Sequence, residues 1–294
     1  MEKAVYHLPG LFEFYDFYRK FLPIYREKTE YFYDWCRIGS LYGAPADCLW
    51  AGGRVSTGNA DPRQVLALTE EYGLSARLTF SNSLLRPEHL KDPKCNRLCA
   101  LFGAEPGNGV IVHSELLLDY LKEKYPNFYF VSSTTKVLTD FEDLAAETER
   151  PDFRYVVPDF RLNKAFDRLA GLKEKRKVEF LCNECCWPGC RERKECYENV
   201  SRKNLGEHCP DHICAAPEGE KGYRFSAAMK NPAFIGIRDI RETYLPMGFS
   251  QFKIEGRGLG SAMLLEFILY YLTKPEYQLP LREEMYLDSM LDLF

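Results

Sequence analysis

An α/β fold, a single-domain (β/α)8 TIM-like barrel over residues 1–294, is what this sequence predicts. Three observations point there. Eight short runs rich in β-branched or aromatic residues recur along the chain, amphipathic stretches of helical length separate them, and polar side chains gather where the runs end. The runs are 4–8, 37–42, 76–81, 110–113, 128–132, 154–157, 178–181 and 250–254. Each is bounded by Gly, Pro, Ser or Asn, as buried strands are. Strands separated by helices imply parallel neighbours and right-handed crossovers. The length suits one barrel, which takes roughly 250 residues. An open doubly wound sheet uses the same elements, but no Gly-rich phosphate fingerprint follows an early strand.

The helices between the runs carry start and stop signals. Asp61 then Pro62 opens a helix through Tyr72, and Gly73 ends it. Ser114 precedes a helix closed at Tyr125 and Pro126, since proline cannot continue it. Asp159 or Asn163 begins a helix that stops at Gly171. Arg257 and Gly258 lead into a last long helix, expected to end near Lys274 and Pro275.

A composition of 46% hydrophobic residues is ample for a large core and too apolar for disorder. The formal net charge of −4 argues against a charge-driven nucleic-acid binder, although it leaves room for a local basic patch. The longest apolar stretch, 262–272, is interrupted by Glu266 and falls short of the roughly 20 residues a bilayer requires. No basic region followed by a long apolar run marks a secretory signal. A cytoplasmic protein without membrane contact is the expectation.

In a barrel of this type, chemistry sits where strands end and loops begin. That face should carry His7, Ser40, Tyr42, Asn82, His113, Ser133 with Thr134 and Thr135, Asp159, Cys182, Asn183, Glu255 and Arg257. Among them His7 and His113 are candidate proton movers, because histidine titrates near neutral pH. Glu255 is the candidate carboxylate, and Arg54, Asn82 and Arg257 are candidate substrate-binding residues. The two arginines suit an anionic substrate. Lys253 and Glu255 alternate with Phe252 and Ile254, so on a strand the charged pair shares one face. A buried ion pair locking the barrel explains that pattern as well as a substrate role does.

Seven of eleven cysteines lie between Cys182 and Cys214, in a segment of about 182–232 inserted after the seventh strand. Clustered cysteines in a reducing compartment more often hold metal than form disulfides. Pro188 and Gly189 bend the chain so that Cys186 and Cys190 can converge. Cys182, Cys185 and Cys196 surround that pair, and Cys209 and Cys214 follow after a gap. Cys95 and Cys99 stand one helical turn apart on an earlier loop. Zinc sites show paired knuckles, and only Cys182 with Cys185 makes one, though His208 and His212 keep zinc as the alternative. An iron–sulfur cluster accepts irregular spacings. Cys95, Cys186, Cys190 and Cys209 are the expected ligands. Cys36 and Cys48 read as small buried hydrophobes or loop thiols.

The motif FKIEGR (Phe252 to Arg257) on a late strand, together with the upstream segment NECCWPGCRERKECYENVS, resembles the U32 peptidase family. More loosely, so does IGSLYGAP followed by WAGGR near the second strand. The cysteine segment is similar to an uncharacterised branch in which a Cys-x3-Cys pair precedes an Arg and often a His, where Cys196 stands here. The resemblance implies a (β/α)8 barrel with a [4Fe–4S] cluster on four cysteines. It also implies support of oxygen-independent hydroxylation of tRNA, rRNA or ubiquinone precursors, sometimes with prephenate as oxygen donor. Other relatives carry the name of collagenase-like peptidases.

Three classes of function follow. The first is an iron–sulfur enzyme performing or assisting an oxygen-independent redox modification of a small anionic molecule or an RNA. Two basic runs, 173–177 and 191–194, are placed near the cluster mouth in this reading. A hydrolase is the second, although neither a Gly-x-Ser-x-Gly elbow nor a His-Glu-x-x-His motif is present. The third is a metal-bearing scaffold with a protein partner. For it, the aromatic residues Phe12, Phe14, Tyr15, Phe17, Tyr18, Phe21 and Tyr25 offer a docking face or, more ordinarily, core.

Overall fold

The structure is a computed structural model that describes residues 2–53, 58, 60–217, 219 and 222–291. Eight strands form its centre: β1 (Ala4–Pro9), β2 (Cys36–Gly43), β3 (Ser75–Phe80), β4 (Gly109–Val112), β5 (Tyr129–Ser132), β6 (Phe153–Val156), β7 (Glu179–Leu181) and β8 (Gln251–Lys253). They pair in the order β6-β5-β4-β3-β2-β1-β8-β7, every pair parallel. One parallel bridge, Val156 to Val178, joins β6 to the start of β7 and closes the ring. The predicted barrel is therefore present, each strand lying within a residue or two of its expected run.

Helices alternate with the strands: α1 (Tyr15–Glu27), α2 (Pro62–Glu71), α3 (Pro93–Phe102), α4 (Glu115–Lys124), α5 (Phe141–Glu149) and α6 (Phe166–Ala170). The long connection after β7 holds α7 (Arg193–Asn204), α8 (Phe225–Ala228) and α9 (Ile237–Asp239), which runs into a π-helical turn at Ile240–Tyr244. After β8 come α10 (Ser261–Tyr271) and α11 (Gln278–Leu291). The Asp61 carboxylate accepts the Arg63 amide and the Ser114 hydroxyl accepts the Leu117 amide, so both expected N-caps form. Two expectations need correction. The helix expected from Asp159 or Asn163 is instead a short 3-10 turn, Phe160–Leu162, followed by a five-residue α6. The chain also carries a helix beyond Pro275, where the last long helix was expected to end.

Strand alternation divides the apolar residues into two cores. Outward-facing Tyr6, Leu8, Leu78, Phe80, Val110, Val112, Phe130, Phe180 and Phe252 join the helices in the large core. The aromatic stripe of the first forty residues belongs there. Phe12, Phe14, Tyr18 and Phe21 are buried, and Tyr15, Phe17 and Tyr25 pack on them, so the stripe is core rather than a docking face. Inside the barrel Tyr42, Ile111, Val131, Val157 and Leu181 form a small plug.

One register step toward the amino ends of the strands, the interior turns polar. Arg77 and Glu179 form a fully buried ion pair at 2.5 Å, and Arg77 Nε donates to Tyr129 at 2.8 Å. Lys253 Nζ stands 3.5 Å from the other Glu179 oxygen. His7 lies in the same layer, with Nδ1 2.8 Å from Ser40 Oγ and Nε2 3.1 Å from Gln251 Oε1. Burial would raise the Glu179 pKa, but Arg77, His7 and Lys253 overcome it and hold the carboxyl at about 2. Burial, reinforced by the Arg77 charge, lowers His7 to about 3, so His7 is neutral.

Removing one partner of a buried ion pair leaves the other charge uncompensated. Arg77→Met is therefore expected to destabilise the fold by about 3–5 kcal/mol, read from the urea midpoint. An unchanged midpoint would mean that Glu179 does not depend on Arg77. His7 gives a pH signature. Its folded pKa, about 3, lies below its ordinary 6.5, so as pH falls below 6.5 the unfolded chain binds a proton that the folded chain does not. Stability should drop across that window, on the order of 2 kcal/mol by about pH 5 from this residue alone. His7→Gln should flatten the slope above about pH 5, where carboxylates do not yet titrate. An identical slope in the variant would show that His7 already takes up its proton in the folded state.

Candidate functional site

The carboxyl end of the barrel is roofed by α7. Its Ser201 is the anchor: the Ser201 carbonyl accepts from Asn82 Nδ2 at 3.1 Å, and its hydroxyl accepts from the Ser83 amide at 3.2 Å. At the end of the helix, Asn204 donates to the Ala51 carbonyl on the loop after β2. At its start, buried Arg193 donates to Glu184 at 2.7 Å and lies 3.3 Å from Asp159, both residues of the strand-end loops. The inserted segment thus ties together the loops that follow β2, β3, β6 and β7.

Beneath α7 lies a polar cavity of about 20 Å³, room for about one water molecule. Thr79, Ser81, Ile111, Ser133, Thr134 and Thr135 line one side, and Tyr197, Lys253, Glu255 and Arg257 the other. Thr79 Oγ1, Thr134 Oγ1 and the Arg257 Nε and Nη1 are buried without a hydrogen-bond partner. Buried polar groups are normally paired, and four unpaired atoms on three residues meet around this one cavity, whereas the other unpaired atoms among the described residues, on Tyr6, Asn163 and Arg193, do not line it. The Arg257 guanidinium packs closely on Gly53, where an added Cβ would meet Nη2 at 2.2 Å and push the guanidinium aside. Val137, directly after the turn bearing Thr134, has φ of 53°, a left-handed conformation that strains a β-branched residue by about 1–3 kcal/mol. Such strain persists only where the surrounding structure holds the residue in place.

Lys253 links this cavity to the layer below. Its Nζ stands 3.9 Å over the Tyr42 ring. Burial lowers its pKa to about 8; Arg77 and Arg257 push the same way, and Glu179 opposes them.

The residues singled out from sequence meet different fates. Arg257 and Glu255 line the cavity. Arg54 lies outside the described residues. Asn82 is at the mouth but fully occupied: its amide donates to Leu49 and Ser201, and its Oδ1 accepts from Leu84, so it fastens loops. His113 sits half-buried at the rim, 2.8 Å from Thr135 Oγ1, with burial and Lys136 lowering its pKa to about 4. His7 does not reach the mouth. Its engaged, neutral ring belongs to the buried layer, one interior step deeper than a strand-end residue. Cys182 points outward into the main core, while Asn183 clamps β8 through the Glu255 amide and carbonyl at 2.7 and 2.9 Å. Thr79, Ser81 and Tyr197 were missed. Thr79 alternates with Arg77 and Ser75 against apolar Ala76, Leu78 and Phe80, and that polar face was the available signal.

The cysteines fall into separate groups. Cys48 and Cys95 touch, Sγ to Sγ 2.9 Å, and with Cys99 they are buried in the main core. Cys186 and Cys190 are electrostatic neighbours on a hairpin whose bend is held by Glu184, which accepts the Cys185 and Cys186 amides at 3.0 Å. Burial raises the Cys186 pKa to about 11 against the pull of Arg193. Cys209 accepts from Asn199 at 3.6 Å. Among the described residues no three of His, Cys, Asp and Glu gather as metal ligands. The expected set Cys95, Cys186, Cys190 and Cys209 is not brought together. As placed, these thiols do not fit a four-cysteine cluster, and His208 and His212 complete no zinc site; His212 lies 3.5 Å from Glu192 instead.

The basic runs also part company. Residues 173–177 precede β7 and so stand at the amino end of the barrel, opposite the mouth, with Lys173 on Glu149. In the other run Arg193 is buried and paired. No helix among the described residues is long and apolar enough to cross a membrane.

No family model matches the sequence, and no curated protein is similar to it in sequence. Solved structures do match. A U32 peptidase structure superposes with a TM-score of 0.54 and 14% identity, covering 86% of this chain and 92% of that one. At that identity the likeness concerns the fold. Closed parallel barrel, interleaved helices and near-complete mutual coverage together give this chain a U32-like fold.

Proposed function

We propose that this chain is a U32-like enzyme that binds a small anionic molecule at the carboxyl mouth of its barrel, with Arg257 and Lys253 as the cations that hold it. One observation carries the reading: the unpaired buried atoms of Thr79, Thr134 and Arg257 surround a single cavity. A carboxylate supplies acceptors for the two hydroxyls and for one edge of the Arg257 guanidinium. Glu255 is the group in the same cavity able to take or return a proton. The cavity holds about one water, so a larger ligand requires its lining, Tyr197 of α7 included, to give way. Eleven cysteines free of disulfides suit a reducing cytoplasm.

A redox modification with a [4Fe–4S] cluster is the second reading, favoured by the Cys186–Cys190 pair on the segment that roofs the mouth. It requires that segment to rearrange and bring further thiols to the pair. Anaerobic purification followed by iron and sulfide analysis decides it, and iron-free protein ends it.

The anion site is tested by calorimetry with small mono- and dicarboxylates. Arg257→Leu is expected to weaken binding about tenfold or more, and Thr79→Val and Thr134→Val by less. Equal affinity of the wild type and Arg257→Leu for every carboxylate tried would remove the basis of this reading.

A further inference from the structure

Beside its cations and hydroxyls, the cavity contains a reactive amine. Lys253, at the carboxyl end of β8 where barrel enzymes place their chemistry, is buried and lines the cavity with Arg257, Glu255 and the hydroxyls of Thr79, Ser81, Ser133 and Thr134. Its tie to Glu179 is loose. The carboxylate makes its short contact with Arg77, at 2.5 Å, and stands 3.5 Å from Nζ. A lysine serving only as counter-ion has no need to line a ligand cavity.

We propose that Lys253 is a nucleophilic amine that condenses with the carbonyl of a small aldehyde or ketone bearing a carboxylate, the carboxylate resting on Arg257. This deepens the anion-site reading and rests on it. A pKa of about 8 leaves about a tenth of the amine neutral at pH 7, where an ordinary lysine has almost none. In the first step neutral Nζ attacks the carbonyl carbon, a C–N bond forms as the C=O π bond opens onto oxygen, and one proton passes from the nitrogen to that oxygen to give a neutral carbinolamine. In the second, that hydroxyl leaves as water with one more proton, giving a protonated imine. No electron changes hands. Glu255 lines the same space and is placed to pass those protons, and the threonine and serine hydroxyls suit the transient hydroxyl.

The test is reductive trapping on the purified full chain at about pH 8. Glyoxylate or acetaldehyde is added with cyanoborohydride, and the modified lysine is mapped by mass spectrometry. The expected result is a reduced glyoxylate adduct on the peptide carrying Lys253, formed ahead of adducts on other lysines. Lys253→Arg, which keeps a charge beside Glu179, should abolish that adduct. Arg257→Leu should lower glyoxylate trapping on Lys253 about tenfold while leaving acetaldehyde trapping in place. Adducts on other lysines with none on Lys253 of the folded wild type overturn the proposal without any variant. If Arg257-dependent carboxylate binding persists in that case, the anion site stands and only the role of Lys253 is lost. Trapping on Lys253 that ignores Arg257 for both aldehydes overturns the carboxylate part, and the anion-site reading with it.

Discussion

The interior of this barrel depends on one carboxylate. Glu179 is fully buried, and three basic side chains converge on it: Arg77, Lys253 and His7. Isolated burial would force that carboxyl to take a proton, yet the surrounding charge keeps it ionised. The balance is uneven. Arg77 and Lys253 bring two positive charges, Glu179 one negative, and His7 is neutral. Within this cluster alone the two cations outnumber the carboxylate by one charge. Burial first, then the charges of Arg77 and Arg257, lower the pKa of Lys253, and an anion in the mouth would oppose both.

The roof follows from the same economy of partners. Arg193 is as buried as Arg77, and its charge is answered by Glu184 and Asp159 from two different loops. Glu184 in turn caps the hairpin that carries Cys186 and Cys190. Hairpin, Arg193 and α7 therefore form one connected unit, with Tyr197 as the part facing the cavity. A displacement of the hairpin cannot leave the roof where it is, because one guanidinium belongs to both.

Much of the fold was legible because a strand buried on both faces announces itself as a short apolar run, and capping residues such as Asp61 and Ser114 act locally. The site was legible only in part. Arg257 and Glu255 follow the last strand directly, and position alone put them at the mouth. His7 was misplaced by a single interior step, since a run read from sequence does not say at which layer a side chain enters the barrel. Asn82 shows a second limit: a strand-end position is fixed by sequence, but whether its amide meets a substrate or Ser201 depends on where a segment more than a hundred residues away comes to rest. The thiols show a third, because spacing could not reveal that Cys95 packs against Cys48 in the core.

Fold likeness at 14% identity transfers architecture and not chemistry, so the particular groups of this chain must carry any argument about its reaction. They carry it unevenly. The thiols are numerous but dispersed, and the raised pKa of Cys186 makes it a poorer nucleophile and ligand until something replaces its proton. The mouth is small but converges: an unpaired guanidinium, two unpaired hydroxyls, a carboxylate and an amine near neutrality share one space. Unpaired buried donors cost stability in every molecule of the folded protein, and a water, an ion or a ligand can make up that loss. By that measure the proposed anion site is better supported at the cavity under α7 than any site among the cysteines, whose segment supplies its roof.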